Sequence, residues 1–141
     1  MIVVPDASVI LKWVLEKADE PGYSQALRLQ DALLAEEIEI RVPTLWRYEV
    51  GNVLGLKKPK MATDLLSALL AYEFDEVPLR TDYALDVLDH MRALPGVTFY
   101  DSAYHVLALR TKGLYVTADA AYLRRARRKG HVALLDEWRG P

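Results

Sequence analysis

Residues 1–13 read MIVVPDASVILKW, and the order of residue types within them decides the fold class. Met1–Pro5 is a short β-branched run closed by proline, the pattern of a buried strand. An acid, Asp6, follows at once. Ser8–Leu15 then takes up helical spacing with its serine in capping position.

Working outward, the alternation continues. Asp19-Glu20-Pro21 is expected to open a longer helix, since proline is tolerated there and acids favour the helix dipole. Its apolar stripe is Tyr23, Ala26, Leu27, Leu33 and Leu34. Ile38–Val42 alternates as a second strand, Leu45–Leu56 is helical, and Lys57-Lys58-Pro59-Lys60 breaks the pattern before a leucine-rich helix over Met61–Tyr72. Glu76–Leu79 reads as a short strand. Asp82 is expected to cap a helix running to about Leu94, where Pro95-Gly96 stops it. Val97–Tyr100 is either a strand or a loop, and Ser102–Lys112 is a helix stopped by Gly113. Leu114–Thr117 is a strand, Ala120–Lys129 a helix ended by Gly130, and Val132–Leu135 a last strand. Strands alternating with helices imply an α/β fold: a mainly parallel sheet of about five strands, sandwiched by helices.

A chain of 141 residues without repeats or linkers reads as a single domain over residues 1–141. At 52% hydrophobic and 27% charged residues its composition is globular. The absence of cysteine excludes disulfides and thiolate metal sites, and the three histidines, His90, His105 and His131, lack zinc-ligand spacing. Any metal is therefore a hard cation held by oxygen. Asp6 and Lys12 interrupt the N-terminal apolar stretches, and no run approaches the roughly 18 apolar residues of a membrane span. The expected location is the cytoplasm, with no membrane. A net charge of −2 does not advertise a nucleic-acid partner.

Ligands of parallel sheets bind beyond the carboxyl ends of the strands. Asp6 follows the first strand, Asp119 lies just past Leu114–Thr117, and Asp101 opens a helix after Val97–Tyr100. Each of the three also reads as a helix cap. Glu49 does not. Its neighbours at three and four positions are Leu45, Trp46, Asn52 and Val53, so its carboxylate sits in an apolar stripe and faces the sheet. A buried carboxylate needs a partner, either an arginine or lysine or a metal. Four converging carboxylates repel one another, and a divalent cation, Mg²⁺ or Mn²⁺, relieves this. Such a centre suits phosphodiester hydrolysis.

Four segments carry a resemblance: VVPDASVILKW (residues 3–13), PTLWRYEVGNVL (43–54), FYDSAYHVLAL (99–109) and YVTADAAYLRRA (115–126). In this order and at these separations the chain resembles the PIN-domain nucleases, and within them the VapC-type toxins of prokaryotic toxin–antitoxin pairs. The resemblance implies an Mg²⁺- or Mn²⁺-dependent endoribonuclease that leaves 5′-phosphate and 3′-hydroxyl ends. Asp6, Glu49 and Asp101 would form the main metal set, with Asp119 as a ligand, a water-orienting group or part of a second metal site. Ser8 and Thr117 match polar positions beside the pocket and Asn52 is a further candidate, although capping and surface roles explain these three equally well. The implied partners are an RNA substrate such as tRNA, a VapB-like antitoxin and a second copy in a homodimer.

RNA requires a positive surface, and Arg124, Arg125, Arg127 and Arg128 beside Lys129 are the best candidates; the same cations also complement a helix C-terminus. A satisfied structural role is expected for His105. Receiver domains and haloacid-dehalogenase-type phosphatases also place aspartates at strand ends. Neither explains Glu49, and Asp6-Ala7-Ser8 lacks their paired acids. Two alternatives remain within the fold, an RNA-processing or quality-control nuclease and a non-catalytic binding module.

Overall fold

The computed structural model describes residues 1–15, 17 and 19–141. The first strand, β1 (Ile2–Pro5), lies at the centre of a five-stranded sheet. It pairs in parallel with β2 (Glu39–Pro43) on one side and β4 (Leu114–Thr117) on the other. Parallel β3 (Asp75–Val77) and β5 (Val132–Leu134) complete the order β3-β2-β1-β4-β5. Consecutive side chains of a strand point to opposite faces, and Val3 and Val4 are both fully buried, so the sheet is covered on both sides. The chain leaves β1 in one direction to form β2 and β3, and returns on the other side as β4 and β5. The crevice where strand order reverses therefore opens between the carboxyl ends of β1 and β4.

Among the described residues seven α-helices accompany the strands: α1 (Ala7–Leu11), α2 (Tyr23–Leu34), α3 (Leu45–Lys57), α4 (Ala62–Leu70), α5 (Thr81–Ala93), α6 (Phe99–Thr111) and α7 (Ala120–Ala126). Helix α6 lies across β1, β2 and β4 and buries every residue from Ser102 to Ala108. A helix enclosed on all sides carries no clear polar face. Phe74, which precedes β3, belongs to a group of packed aromatic rings. Trp13, Trp46, Tyr72 and Phe74 meet at centroid distances of 5.1–6.0 Å, and the Trp13 indole donates to the Ala26 carbonyl at 2.8 Å. Trp138 is buried and anchors the tail. Leu69 is buried and Leu65, Leu66 and Leu70 pack on the core, so this leucine face belongs mostly to the interior.

Several boundaries differ from the sequence expectation. Helix α2 begins at Tyr23 rather than at Asp19-Glu20-Pro21, because Gly22 precedes it at φ +83°, a conformation no helix propagates through. Glu20 instead pairs with Lys12 at 2.6 Å. Asp82 does not cap α5; it lies in the first turn and binds Arg110 of α6 at 2.7 Å, while extended Arg80 precedes the helix. Val97–Tyr100 is no strand. Thr98 caps α6, its hydroxyl accepting from the Asp101 N–H at 3.1 Å, so Asp101 sits inside the first turn. Helix α1 stops at Leu11, four residues short of the expected Leu15.

Candidate functional site

Asp6 stands at the switch point. Its backbone N–H donates to the Val116 carbonyl at 3.1 Å, continuing the β1–β4 pairing, and its side chain caps α1. Oδ1 accepts from the Val9 N–H at 3.2 Å and from the Ser8 hydroxyl; Oδ2 accepts from the Thr117 hydroxyl at 2.6 Å and the Tyr115 hydroxyl at 3.2 Å. Four donors grip this buried carboxylate and fix its orientation. Thr117 also accepts from the Asp119 N–H at 3.1 Å, so one hydroxyl joins the acid after β1 to the acid after β4. Asp119 caps α7 by accepting from the Tyr122 N–H at 3.1 Å. Capping and clustering hold together for both aspartates.

Glu49 projects from α3, whose start is clamped to β3. Glu76 accepts from the Trp46 indole at 2.6 Å and from Arg47 through both oxygens at 2.6 and 2.7 Å. Glu49 is half-buried rather than fully enclosed, and its partner is a hydroxyl: Tyr104 of α6 donates to Oε1 at 2.6 Å. Among the described residues no lysine, arginine or histidine pairs with Asp6, Glu49, Asp101 or Asp119. The electrostatics record that deficit. Burial pushes the Glu49 carboxyl up, opposed by the Tyr104 hydrogen bond and reinforced by the charges of Asp6 and Asp101. Burial likewise raises Asp101, assisted by Asp6 and Asp119 and opposed by Thr98. Glu49 and Asp101 thus each feel neighbouring acids, Asp6 and Asp101 in the first case and Asp6 and Asp119 in the second.

Among the described residues, no three acidic or histidine side chains are already closed around one cation position. Bare like charges turn toward their own donors, as Asp6 does. The donor set nevertheless fits a hard divalent ion: oxygen ligands only, excess negative charge and no competing cation.

The remaining candidates divide. Ser8 and Thr117 touch the cluster through Asp6, whereas Asn52 is exposed and makes no hydrogen bond to it. Of the arginines, Arg125 donates to the Gly96 carbonyl at 2.9 Å, Arg128 to the Ala93 carbonyl, and Arg127 lies 3.6 Å from Glu137. These three brace α7 and its 3₁₀ extension. Among the described residues only Arg124 of the four lacks a protein partner. His105 is fully buried and satisfied by Tyr122 and the Gly130 carbonyl, as a structural histidine should be. Tyr104 and Tyr115 were not singled out in the sequence. Their one signal was a polar-headed aromatic within an otherwise apolar buried segment.

The sequence signature of the PIN domain matches residues 3–129, and the chain belongs to the PIN domain family. Its fold is similar to that of several toxin–antitoxin structures. VapBC2 from Rickettsia felis, bound to a fragment of promoter DNA, matches with a TM-score of 0.70 at 14% identity, over 95% of this chain and 98% of that one. A toxin–antitoxin complex from Klebsiella pneumoniae gives 0.68 at 14% identity over 94% and 97%. FitAB bound to an IR36 DNA fragment gives 0.74 at 15% identity over 99% and 98%. At these identities the likeness is one of fold. No curated protein sequence matches the chain significantly.

Proposed function

We propose that this chain is a single-domain, Mg²⁺- or Mn²⁺-dependent endoribonuclease, and the toxin of a VapBC-type pair acting in the cytoplasm. The observation that supports the reading is that Asp6 and Asp101 act on Glu49, and Asp6 and Asp119 on Asp101, with no cation paired to any of the four among the described residues. Asp6, Glu49 and Asp101 would hold the ion, with Asp119 as a further ligand or as the group that orients the attacking water. A bound divalent ion supplies charge neutralisation for the phosphodiester and acidifies a nearby water. The protein contributes position. Thr117, Tyr115, Ser8 and the start of α1 hold Asp6, and the start of α6 presents Asp101. Arg124 is the exposed cation best placed in sequence to meet RNA beyond Asp119. A VapB-like antitoxin is supported by the toxin–antitoxin complexes sharing the fold, and a homodimer by the resemblance to VapC-type toxins.

Purified protein incubated with total RNA, tRNA included, tests this with Mn²⁺ or Mg²⁺, with EDTA, and with a folded Asp101→Asn variant. Cleavage lost in both controls is the expected result. Activity that survives Asp101→Asn overturns the site, and absence of both cleavage and Mn²⁺ binding favours a non-catalytic binding module.

A further inference from the structure

Two buried tyrosines lie beneath the acid cluster. The Tyr104 and Tyr115 rings are stacked at 6.0 Å and 16°, one from α6 and one from β4. Each hydroxyl donates to a different acid, Tyr104 to Glu49 at 2.6 Å and Tyr115 to Asp6 at 3.2 Å. Burial raises both phenols far above their ordinary value, so both stay protonated donors. Tyr104 also lies three residues after Asp101 on the same helix, within one turn. A single packed unit thus presents Asp101 directly and reaches Glu49 and Asp6 through hydroxyls.

Glu49 depends most on this unit. Asp6 is gripped by four donors, but Glu49 receives only the Tyr104 hydroxyl, and its Oε2 has no partner among the described residues. A glutamate on a half-exposed helix face has three side-chain torsions to fix, and without a tether it pays that entropy when it binds an ion. We infer that Tyr104 is a positioning residue for the metal site: its hydroxyl holds Oε1 of Glu49 so that Oε2 faces the crevice, free for a divalent cation. This rests on reading Glu49 as a metal ligand. Partners of this kind, one step removed from the ion, are commonly worth about 10–100-fold in metal affinity.

The test compares Tyr104→Phe with Tyr83→Phe. Tyr83 is equally buried and donates to the Ala103 carbonyl, next to Tyr104 on α6, so its variant loses a similar hydrogen bond without touching an acid. Mn²⁺ affinity is measured by titration calorimetry on metal-free protein, alongside thermal melts and the Mn²⁺ concentration giving half-maximal RNA cleavage. Tyr104→Phe is expected to weaken Mn²⁺ binding at least about tenfold, with cleavage recovering at saturating Mn²⁺, while Tyr83→Phe binds as the unaltered protein does. Unchanged or tighter binding by Tyr104→Phe, or an equal loss in Tyr83→Phe, overturns the inference and leaves the nuclease reading standing. An unaltered protein that binds no Mn²⁺ overturns both.

Discussion

The Thr117 hydroxyl donates to Oδ2 of Asp6 at 2.6 Å across 111 residues of sequence, and accepts from the backbone of Asp119 at 3.1 Å. Parallel pairing makes this contact possible. Pro5 stands beside Val116 in the β1–β4 register, so the residues just beyond each strand end meet over the crevice. One fully buried hydroxyl thereby fixes the spacing of two of the four acids.

Replacing Thr117 with valine preserves shape and removes that hydroxyl. Asp6 loses its shortest-range donor outside its own turn, and the Asp119 N–H loses its acceptor. A hydrogen bond to a charged group contributes about 1.5–3 kcal/mol. Thr117→Val is expected to lower metal-free stability by about 2 kcal/mol in urea titrations at neutral pH. A change below about 0.5 kcal/mol, the size of an ordinary surface substitution, would show that the contact holds neither acid.

Asp101→Asn is expected to do the opposite. Burial and the charges of Asp6 and Asp119 raise the Asp101 carboxyl above its unfolded value, so its contribution is fully favourable below the unfolded value and is lost as pH rises through the folded one. At pH 7 the ionised form therefore opposes folding, and removing it should stabilise metal-free protein by about 1 kcal/mol, as relief of active-site strain often does. The gain should fade as pH falls toward 4. Mn²⁺ should reverse the order, because an ion at a hundred times its Kd adds about 2.7 kcal/mol to the protein that binds it. Urea titrations at two pH values, with and without Mn²⁺, measure all three trends; an Asp101→Asn variant less stable than its parent without metal contradicts the shared-crevice electrostatics.

Much of this was legible in the chain. Strands announce themselves through β-branched runs such as Ile2-Val3-Val4, and buried parallel strands need no alternation to be seen. Glu49 stood out because a carboxylate inside an apolar stripe demands a partner. That the partner is Tyr104 was not legible, since 55 residues separate the two and nothing local in either segment names the other. The errors have the same origin. Asp82 looked like a cap because its best alternative, Arg110, lies on another helix. The start of α2 moved because Gly22 obeys Leu135, against which a Cβ would close to 2.9 Å. The arginines after Asp119 read equally as an RNA-facing surface and as cations at a helix C-terminus, and neither reading could name Ala93 at the end of α5 or Gly96 beyond it, which take two of them.

Gly113, where α6 turns into β4, sits against Ile2 at the start of β1. A Cβ there would lie 2.8 Å from the Ile2 carbonyl oxygen and 2.9 Å from its Cγ2. The oxygen is backbone and cannot step aside without disturbing the β1–β4 pairing. Gly113→Ala is expected to cost about 1–3 kcal/mol, the usual range for overpacking. Because that pairing aligns Asp6 with Thr117, Mn²⁺ affinity should fall too. A variant as stable as its parent would show that the start of β1 yields freely.

The hydrogen-bond directions among His90, Tyr122 and His105 follow from one fixed end. The Gly130 carbonyl can only accept, so His105 donates from Nε2 at 2.8 Å and, if neutral, accepts at Nδ1 from the Tyr122 hydroxyl at 2.7 Å. That hydroxyl then accepts from His90 Nε2 at 3.0 Å. In this arrangement each ring is neutral and every polar atom between the two histidines has a partner. A proton on His105 Nδ1 would place a charge in a buried site and turn the Tyr122 hydroxyl from donor to acceptor there. Burial pushes His90 down to about 4, helped by His105 and Lys129, and lowers His105 as well. For a histidine held below its unfolded value, stability is complete above about 6.5 and is lost as pH falls from there toward the folded value. Asp86, Asp89, Arg110 and Lys129 border the solvent side of His90, and burial is the largest cause of its lowered value. His90→Gln keeps a neutral donor that does not titrate. It is expected to flatten the loss of stability between pH 6.5 and 4 relative to the unaltered protein, in urea titrations on the Asp101→Asn background that silences the opposing trend of that acid. Parallel curves for the two proteins would mean that His90 gains no proton between the two states over this range, and that burial does not hold it neutral in the fold.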